Sequence, residues 1–215
     1  MSSPELLDYY RRRAGEYEKI YGWPERQPDL DVLRKEIPAR LEGRSVLEIA
    51  CGTGYWTERI ARTAKRIVAT DLAPEPMAIA RAKAYACPVE LRRVDAYALD
   101  ESLGAFDAAF AGFWWSHVPL SRRQAFLHSL HARLQPASRV VLFDNRYVEG
   151  EMHPIVETDA EGNTYQRRRL ADGAEHRVLK NFPAEEDLRR PLVGVASTVR
   201  YTPLKYYWLL DYRLP

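Results

Sequence analysis

Long apolar runs are missing from this 215-residue chain. No stretch approaches the roughly 18 residues that a membrane-spanning helix needs. The N-terminal "MSSPELLDYYRRR" has no continuous apolar segment of the kind a secretory signal requires. Cysteine is scarce, with Cys51 and Cys87 alone and no metal-like spacing around them. The expectation is therefore no bound metal, no disulfide framework and a reducing, cytoplasmic setting. An excess of one charge is missing too, since 32 basic and 30 acidic side chains leave +2. That removes the electrostatic case for a nucleic-acid or membrane partner. The arginine triplets Arg11–Arg13 and Arg167–Arg169 read as solvated faces, although Arg167–Arg169 would fit a substrate carboxylate where strand alternation points one of them inward. Repeats, low-complexity tracts and interdomain linkers are absent. With 46% apolar and 29% charged residues, the chain reads as one ordinary globular domain over residues 1–215.

What is present is a rhythm. Ser3 before Pro4 is a helix start, a capping hydroxyl ahead of a proline in the first turn. That helix is expected to run to about Tyr21, where Gly22 and Pro24 stop it. A second is expected from about Asp29, with Leu30, Leu33 and Ile37 at helical spacing and Pro38 disturbing its end. From Ser45 short apolar strands alternate with helices: "SVLEIA", "RIVATD", "VELRRVDA", "FDAAFAGF" and "SRVVLFDN" against "YWTERIARTA", "PEPMAIARAKAYA" and "SRRQAFLHSLHARL". Such alternation implies right-handed crossovers and a mainly parallel sheet. The tail breaks it. After a helical "EEDLRRPL", "STVRYT" and "KYYWLLDYRL" are strands joined by a turn too short for a parallel crossover, so they pair antiparallel. Residues 1–42 form an N-terminal helical cap. Residues 147–183 form an inserted flap, in which "TYQRRRL-ADG-AEHRVL" resembles a hairpin.

The stretch "VLEIACGTGYWT" feeds a strand into a Gly-x-Gly turn and out into a helix. Gly52 and Gly54 let the backbone turn sharply and let a ligand come close, and free helix N–H groups point at it. NAD, ATP or S-adenosylmethionine would all fit that much. A phosphate-binding P-loop needs a lysine that is not there. The dinucleotide fingerprint needs a third glycine where Thr57 stands. Glu48, inside the first strand, would repel phosphates and suits a ligand carrying an amino group and a sulfonium. Asp71 closes the second strand and can accept both hydroxyls of a ribose. Asp95, beside Ala96 after the third strand, is placed to meet an adenine edge.

On "LEIACGTGYWT", "VATDLAPEPMAIAR", "RRVDAYAL", "FDAAFAGFWWSHVP" and "SLHARLQPASRVVLFDN" the sequence resembles the class I S-adenosylmethionine-dependent methyltransferases. The likeness covers roughly residues 4–145. It implies a Rossmann-like, doubly wound α/β fold: a seven-stranded, mostly parallel sheet with an antiparallel last strand, a helical lid and a flap. In such a protein Glu48, Ala50 (standing for a first glycine), Gly52 and Gly54 would line the methionyl end. Asp71 with Leu72 would meet the ribose, and Asp95 with Ala96 the adenine. The product would be S-adenosylhomocysteine. The tyrosine-rich N-terminal helix would lie over the cofactor, offering Tyr17 to it and Tyr10 and Tyr21 to the acceptor.

Methyl transfer from a sulfonium is an in-line displacement, so alignment, water exclusion and at times proton removal are what a protein supplies. His117, at the mouth of the fourth strand, is the general-base candidate. Trp114 and Trp115 could wall a planar substrate, and Asp144, Asn145 and Arg146, ending the fifth strand, could orient a polar one or only cap the exit turn. His128 and His131 read as surface residues. The expected reaction is methylation of an oxygen or nitrogen of a small aromatic or heterocyclic molecule by a monomer or homodimer. An RNA or protein methyltransferase is the first alternative and an NAD-dependent oxidoreductase the second. The first lacks a recognition domain and the Asn/Asp-Pro-Pro-aromatic tetrapeptide, whose place "AGFW" takes. Thr57 and Glu48 weigh against the second.

Overall fold

A computed structural model describes residues 4–215; the expected capping role of Ser3 lies outside them. Helix α1 (Pro4–Arg13) buries Leu6 and Tyr9. The single helix expected up to Tyr21 is in fact two. The backbone tightens into a 3-10 helix over Ala14–Gly22, where Gly15 removes the α-helical preference of its neighbours. Helix α2 (Gln27–Arg40) starts two residues before the expected Asp29, because Pro28 fits its first turn. Pro38 sits inside it without ending it: the missing N–H falls in the last turns, and the Leu41 N–H still reaches the Pro38 carbonyl at 3.1 Å.

The alternation predicted from Ser45 is realised as β1 (Ser45–Ile49), α3 (Tyr55–Ile60), β2 (Arg66–Asp71), α4 (Pro74–Arg81), β3 (Val89–Arg93), β4 (Phe106–Gly112), α5 (Arg123–His131) and β5 (Leu134–Asn145). The flap holds β6 (Ile155–Thr158), β7 (Thr164–Arg169) and β8 (Glu175–Leu179). Helix α6 (Glu185–Arg189), β9 (Thr198–Pro203) and β10 (Tyr207–Arg213) complete the chain. One sheet has seven strands in the order β3-β2-β1-β4-β5-β10-β9. Its strands are parallel except β10, which runs against both β5 and β9. This is the Rossmann-like arrangement expected, with the reversal at the last strand of the chain.

Strands β1, β4 and β10 are buried on both faces, as near-continuous apolar runs require in a covered sheet. One apolar layer joins Leu30, Leu33 and Ile37 of α2 and Ile60 of α3 to the sheet. The opposite layer joins Phe126, Leu127 and Leu130 of α5. His131 is no free surface residue: its Nε2 meets the Tyr212 hydroxyl at 2.7 Å, and burial lowers its pKa to about 4.

The flap is a three-stranded antiparallel sheet, β6-β7-β8, one strand more than the expected hairpin. The additional turn is made by Asp159, whose Oδ1 accepts the N–H groups of Glu161 and Asn163, with Gly162 at φ +85°. Val178 of β8 packs with Leu6 and Tyr9, so the flap meets α1 over the ends of the strands. No helix among the described residues is long and apolar enough to cross a membrane. Among them no group of three or more His, Cys, Asp or Glu is placed to hold a metal ion.

Candidate active site

The loop after β1 is shaped by backbone conformation first. Ala50, Gly52 and Gly54 all have positive φ, at 53°, 56° and 76°. At Gly54 a Cβ would stand 2.6 Å from the Tyr85 hydroxyl and 3.0 Å from the Ala80 Cβ, so only glycine lets this turn approach α4. Asp71 then fastens the loop to the end of β2, its two carboxylate oxygens accepting the N–H groups of Gly52 and Ala73, each at 2.8 Å. A carboxylate has lone pairs for two more partners.

A cavity opens over this loop at the carboxyl ends of β1, β2 and β4. It is lined by Ala50, Gly52, Asp71, Leu72, Ala96 and Tyr17, together with Trp114 and His117. Leu6, Leu7 and Tyr10 of α1 close it from above. Asp95 is placed differently from Ala96. Its Oδ1 accepts the Tyr97 N–H at 3.0 Å, so it caps its own turn, and it is not on the cavity wall. Trp115 turns away as well, buried in the core against Phe126 and beneath Arg123; the expected aromatic wall is Trp114 with Phe113.

Behind the loop, Glu48 is 1% exposed, and its Oε2 is buried with no hydrogen-bond partner. Burial pushes its pKa up to about 8, with the nearby Thr57 hydroxyl opposing the rise and Asp71 adding to it. A buried carboxyl oxygen without a partner is costly until a donor or cation reaches it, and the amino group of S-adenosylmethionine is such a cation. Tyr21 sits at this end, not among the acceptor-facing groups, with its ring stacked on Tyr55 at 3.4 Å between centroids.

A second cavity, about 480 Å³, lies under the flap. Tyr10, Tyr17, Phe113 and His117 line both cavities. Asn145 reaches the second one. Arg146 does not: it is exposed, and its Nη1 donates to the Leu204 carbonyl at 2.5 Å. His117 is 4% exposed. Its Nδ1 lies 2.6 Å from the Leu179 carbonyl, which can only accept, so Nδ1 carries the proton. Nε2 then accepts from the Tyr10 hydroxyl at 2.7 Å. Burial first, and then Lys180, lowers the His117 pKa to about 3, so the ring is neutral at physiological pH.

Two features escaped sequence reading. Lys180, at the end of β8, reaches the fully buried Asp144 at 3.0 Å and the Ser116 hydroxyl at 2.7 Å, pinning the flap to the end of β5. Only pairing across 36 residues creates that ion pair, and nothing local announces it. Phe113 adopts φ 57° at the junction of the two cavities, a strained position for an aromatic residue of the kind that clusters at functional sites.

Comparison with known proteins fits this geometry. Residues 46–137 match the family described as "Methyltransferase domain". The demethylmenaquinone methyltransferase of Thermus thermophilus is 29% identical over 196 residues, covering 83% of this chain and 86% of its own. A ubiquinone biosynthesis O-methyltransferase of Xanthomonas axonopodis is 31% identical over 166 residues, 73% of this chain and 65% of that one. Among solved structures, DhpI in complex with SAM and HEP superposes with a TM-score of 0.78 at 29% identity over the whole of both chains. Its complex with SAH gives 0.77. The loop, the orphaned acid behind it and these relatives agree that the cofactor is S-adenosylmethionine. The chain belongs to the class I S-adenosylmethionine-dependent methyltransferases.

Proposed function

We propose that this methyltransferase acts on an oxygen or nitrogen of a small planar molecule held in the cavity under the flap. The observation carrying this reading is that Tyr10, Tyr17, Phe113 and His117 line both cavities, which makes their meeting point the place of transfer. Bound S-adenosylmethionine supplies an electrophilic methyl group on a sulfonium. Glu48 is assigned to its amino group, Asp71 with Leu72 to the ribose and Ala96 to the adenine. Tyr17 and Trp114 face the sulfonium side, where aromatic rings attract a cation.

The chain itself aligns the acceptor and handles its proton. As the methyl moves onto it, the acceptor atom becomes strongly acidic; the Tyr10 oxygen then takes its proton while giving its own to His117 Nε2, so both groups stay neutral until transfer. The helical cap (1–42) roofs the cavities and the flap (147–183) selects the acceptor. The name of the Xanthomonas relative supports oxygen as the atom methylated. The aromatic lining supports a planar acceptor: Tyr9, Trp23, Phe113 and Tyr207 contribute to its walls.

Thermal-shift titration with S-adenosylmethionine, S-adenosylhomocysteine, NAD and NADP comes first. A ligand at a hundred times its Kd raises stability by about 2.7 kcal/mol. The two S-adenosyl compounds are expected to raise Tm and the dinucleotides to leave it unchanged. An acceptor screen over phenols and heteroaromatic amines, read as S-adenosylhomocysteine formed, then tests the small-molecule reading, which methylation confined to RNA or protein would overturn. With an acceptor in hand, Tyr10→Phe and His117→Ala are each expected to lower kcat on the order of 100-fold; unchanged turnover would mean that positioning suffices.

A further inference from the structure

The cavity under the flap carries more positive charge than a neutral planar acceptor requires. Four cationic side chains line it: Arg13, Arg26, Arg168 and Lys180. Two of them are answered within the fold. Lys180 is paired with Asp144 at 3.0 Å. Arg26 reaches Glu25 at 3.7 Å and donates to the Glu151 carbonyl at 3.2 Å. The carboxylate of Glu151, the other acid on the wall, is itself taken by Lys205 at 3.1 Å and by the Tyr206 hydroxyl.

Arg13 and Arg168 have no carboxylate partner among the described residues. Arg13 stands over the rings of Tyr9 and Tyr17, at 5.5 and 5.4 Å from their centroids. Arg168 donates to the side-chain oxygen of Gln166 at 2.6 Å. The two line the same cavity, Arg13 from the last residue of α1 and Arg168 from the next-to-last residue of β7; both are half-buried, and the field of Arg13 reaches Arg168. Their neighbours feel them: burial first, then the fields of Arg168 and Arg13, lowers the pKa of His153 on the same wall. Two like charges sharing a partly dry space repel more strongly than in water, and an anion held by both reverses the sign.

The two arginine triplets divide in the same way. Arg11 and Arg12 turn outward to Glu75 and Asp172, and Arg167 turns outward toward Glu175. Arg169 is exposed. Each triplet thus sends one arginine inward, for β7 because alternate side chains face opposite sides of a strand.

We infer that Arg13 and Arg168 form a clamp for a compact oxyanion, and that the acceptor bears a carboxylate or a phosphate as its handle. Guanidinium forks match the planar oxygen pairs of such groups and give charge-assisted hydrogen bonds. The inference rests on the acceptor site proposed above. An anion held there would cancel the fields of Arg168 and Lys180 at His117, leaving its ring readier to take a proton from Tyr10.

Calorimetric titration of inorganic phosphate and of acetate at low ionic strength tests the clamp, on the free protein and on its S-adenosylhomocysteine complex. At least one anion is expected to bind at one site per chain. Arg13→Gln and Arg168→Gln are each expected to weaken it about tenfold, the loss of one charge-assisted contact. The double variant is expected to abolish binding, and Arg167→Gln to leave it unchanged. The stronger anion names the handle. No binding by the wild type, or equal binding by the double variant, would overturn the clamp. S-adenosylhomocysteine affinity is read in the same runs. Its loss in the wild type would count against the cofactor site alone, because the free-protein titration still decides for or against the clamp.

Discussion

The two halves of the cleft are built by different means. The cofactor half is made of backbone: positive-φ residues at 50, 52 and 54, and strand-end acids turned on loop N–H groups. The half proposed for the acceptor is made of long side chains from segments distant in sequence, joined in pairs such as Tyr10 with His117 and Lys180 with Asp144. Backbone tolerates few alternatives, so the first half suits a cofactor common to the whole family. Side chains exchange freely on a retained frame, so the second half is where substrate choice can diverge.

Breaking the second half is expected to give the largest effect. Lys180→Met leaves Asp144 buried and unpaired, a loss of about 3–5 kcal/mol by urea denaturation, and Asp144→Leu in the same chain should restore most of it. Although burial opposes ionisation of Asp144, Lys180 and the N–H groups of Ser116 and Asn145 hold its pKa below the ordinary value. That stabilisation is present above the unfolded carboxylate pKa and fades as pH falls through the lowered folded value. The gap between wild type and double variant therefore closes in acid. A cost below about 1 kcal/mol for Lys180→Met, the level of an exposed pair, would mean that the flap is held some other way.

Asp71→Asn strikes the first half. It weakens the grip on Gly52 and Ala73 and on the ribose together, so the Kd for S-adenosylmethionine should rise on the order of 100-fold by calorimetry. Folding is affected much less. Equal loss of acceptor and cofactor binding would blur the division between the halves.

Glu48 gives a subtler test. Protonated below about pH 8 in the free protein, it must ionise to meet an ammonium, so binding releases a proton. Cofactor affinity is expected to rise by up to about tenfold per pH unit between roughly pH 6 and 7.5, and Glu48→Gln should flatten that slope. The smallest effect belongs to Ala50→Gly. It relieves a left-handed conformation worth about 1–2 kcal/mol, while the freer unfolded chain takes back about 0.4–1 kcal/mol. Thermal melting should show a small rise.

The same division governs what could be read from the sequence. Strand order, the reversed tail and the Gly-x-Gly loop rest on local patterns, period and turn chemistry, and were legible. The position of Asp95 at a strand end suits either a ligand contact or a turn cap, and only the folded backbone shows its Oδ1 on the Tyr97 N–H. Of two adjacent tryptophans, the 3-10 turn over Trp115–His117 sends Trp115 to the core, and no local signal says which one goes. The Arg168 of "RRR" faces the cavity by simple alternation, but only the position of α1 over β8 gives it a counterpart in Arg13.

Helix α1 roofs both cavities, and its outer ties differ from those of the flap. The flap is fastened by a buried ion pair, whereas α1 is tied by Arg11 to Glu75 and Arg12 to Asp172, pairs 40–50% exposed. Exposed pairs weaken as dissolved ions screen them, with a Debye length of about 10 Å at 0.1 M. The exchange of cofactor and product is thus expected to quicken with ionic strength, while the buried anchor of the flap stays indifferent to it.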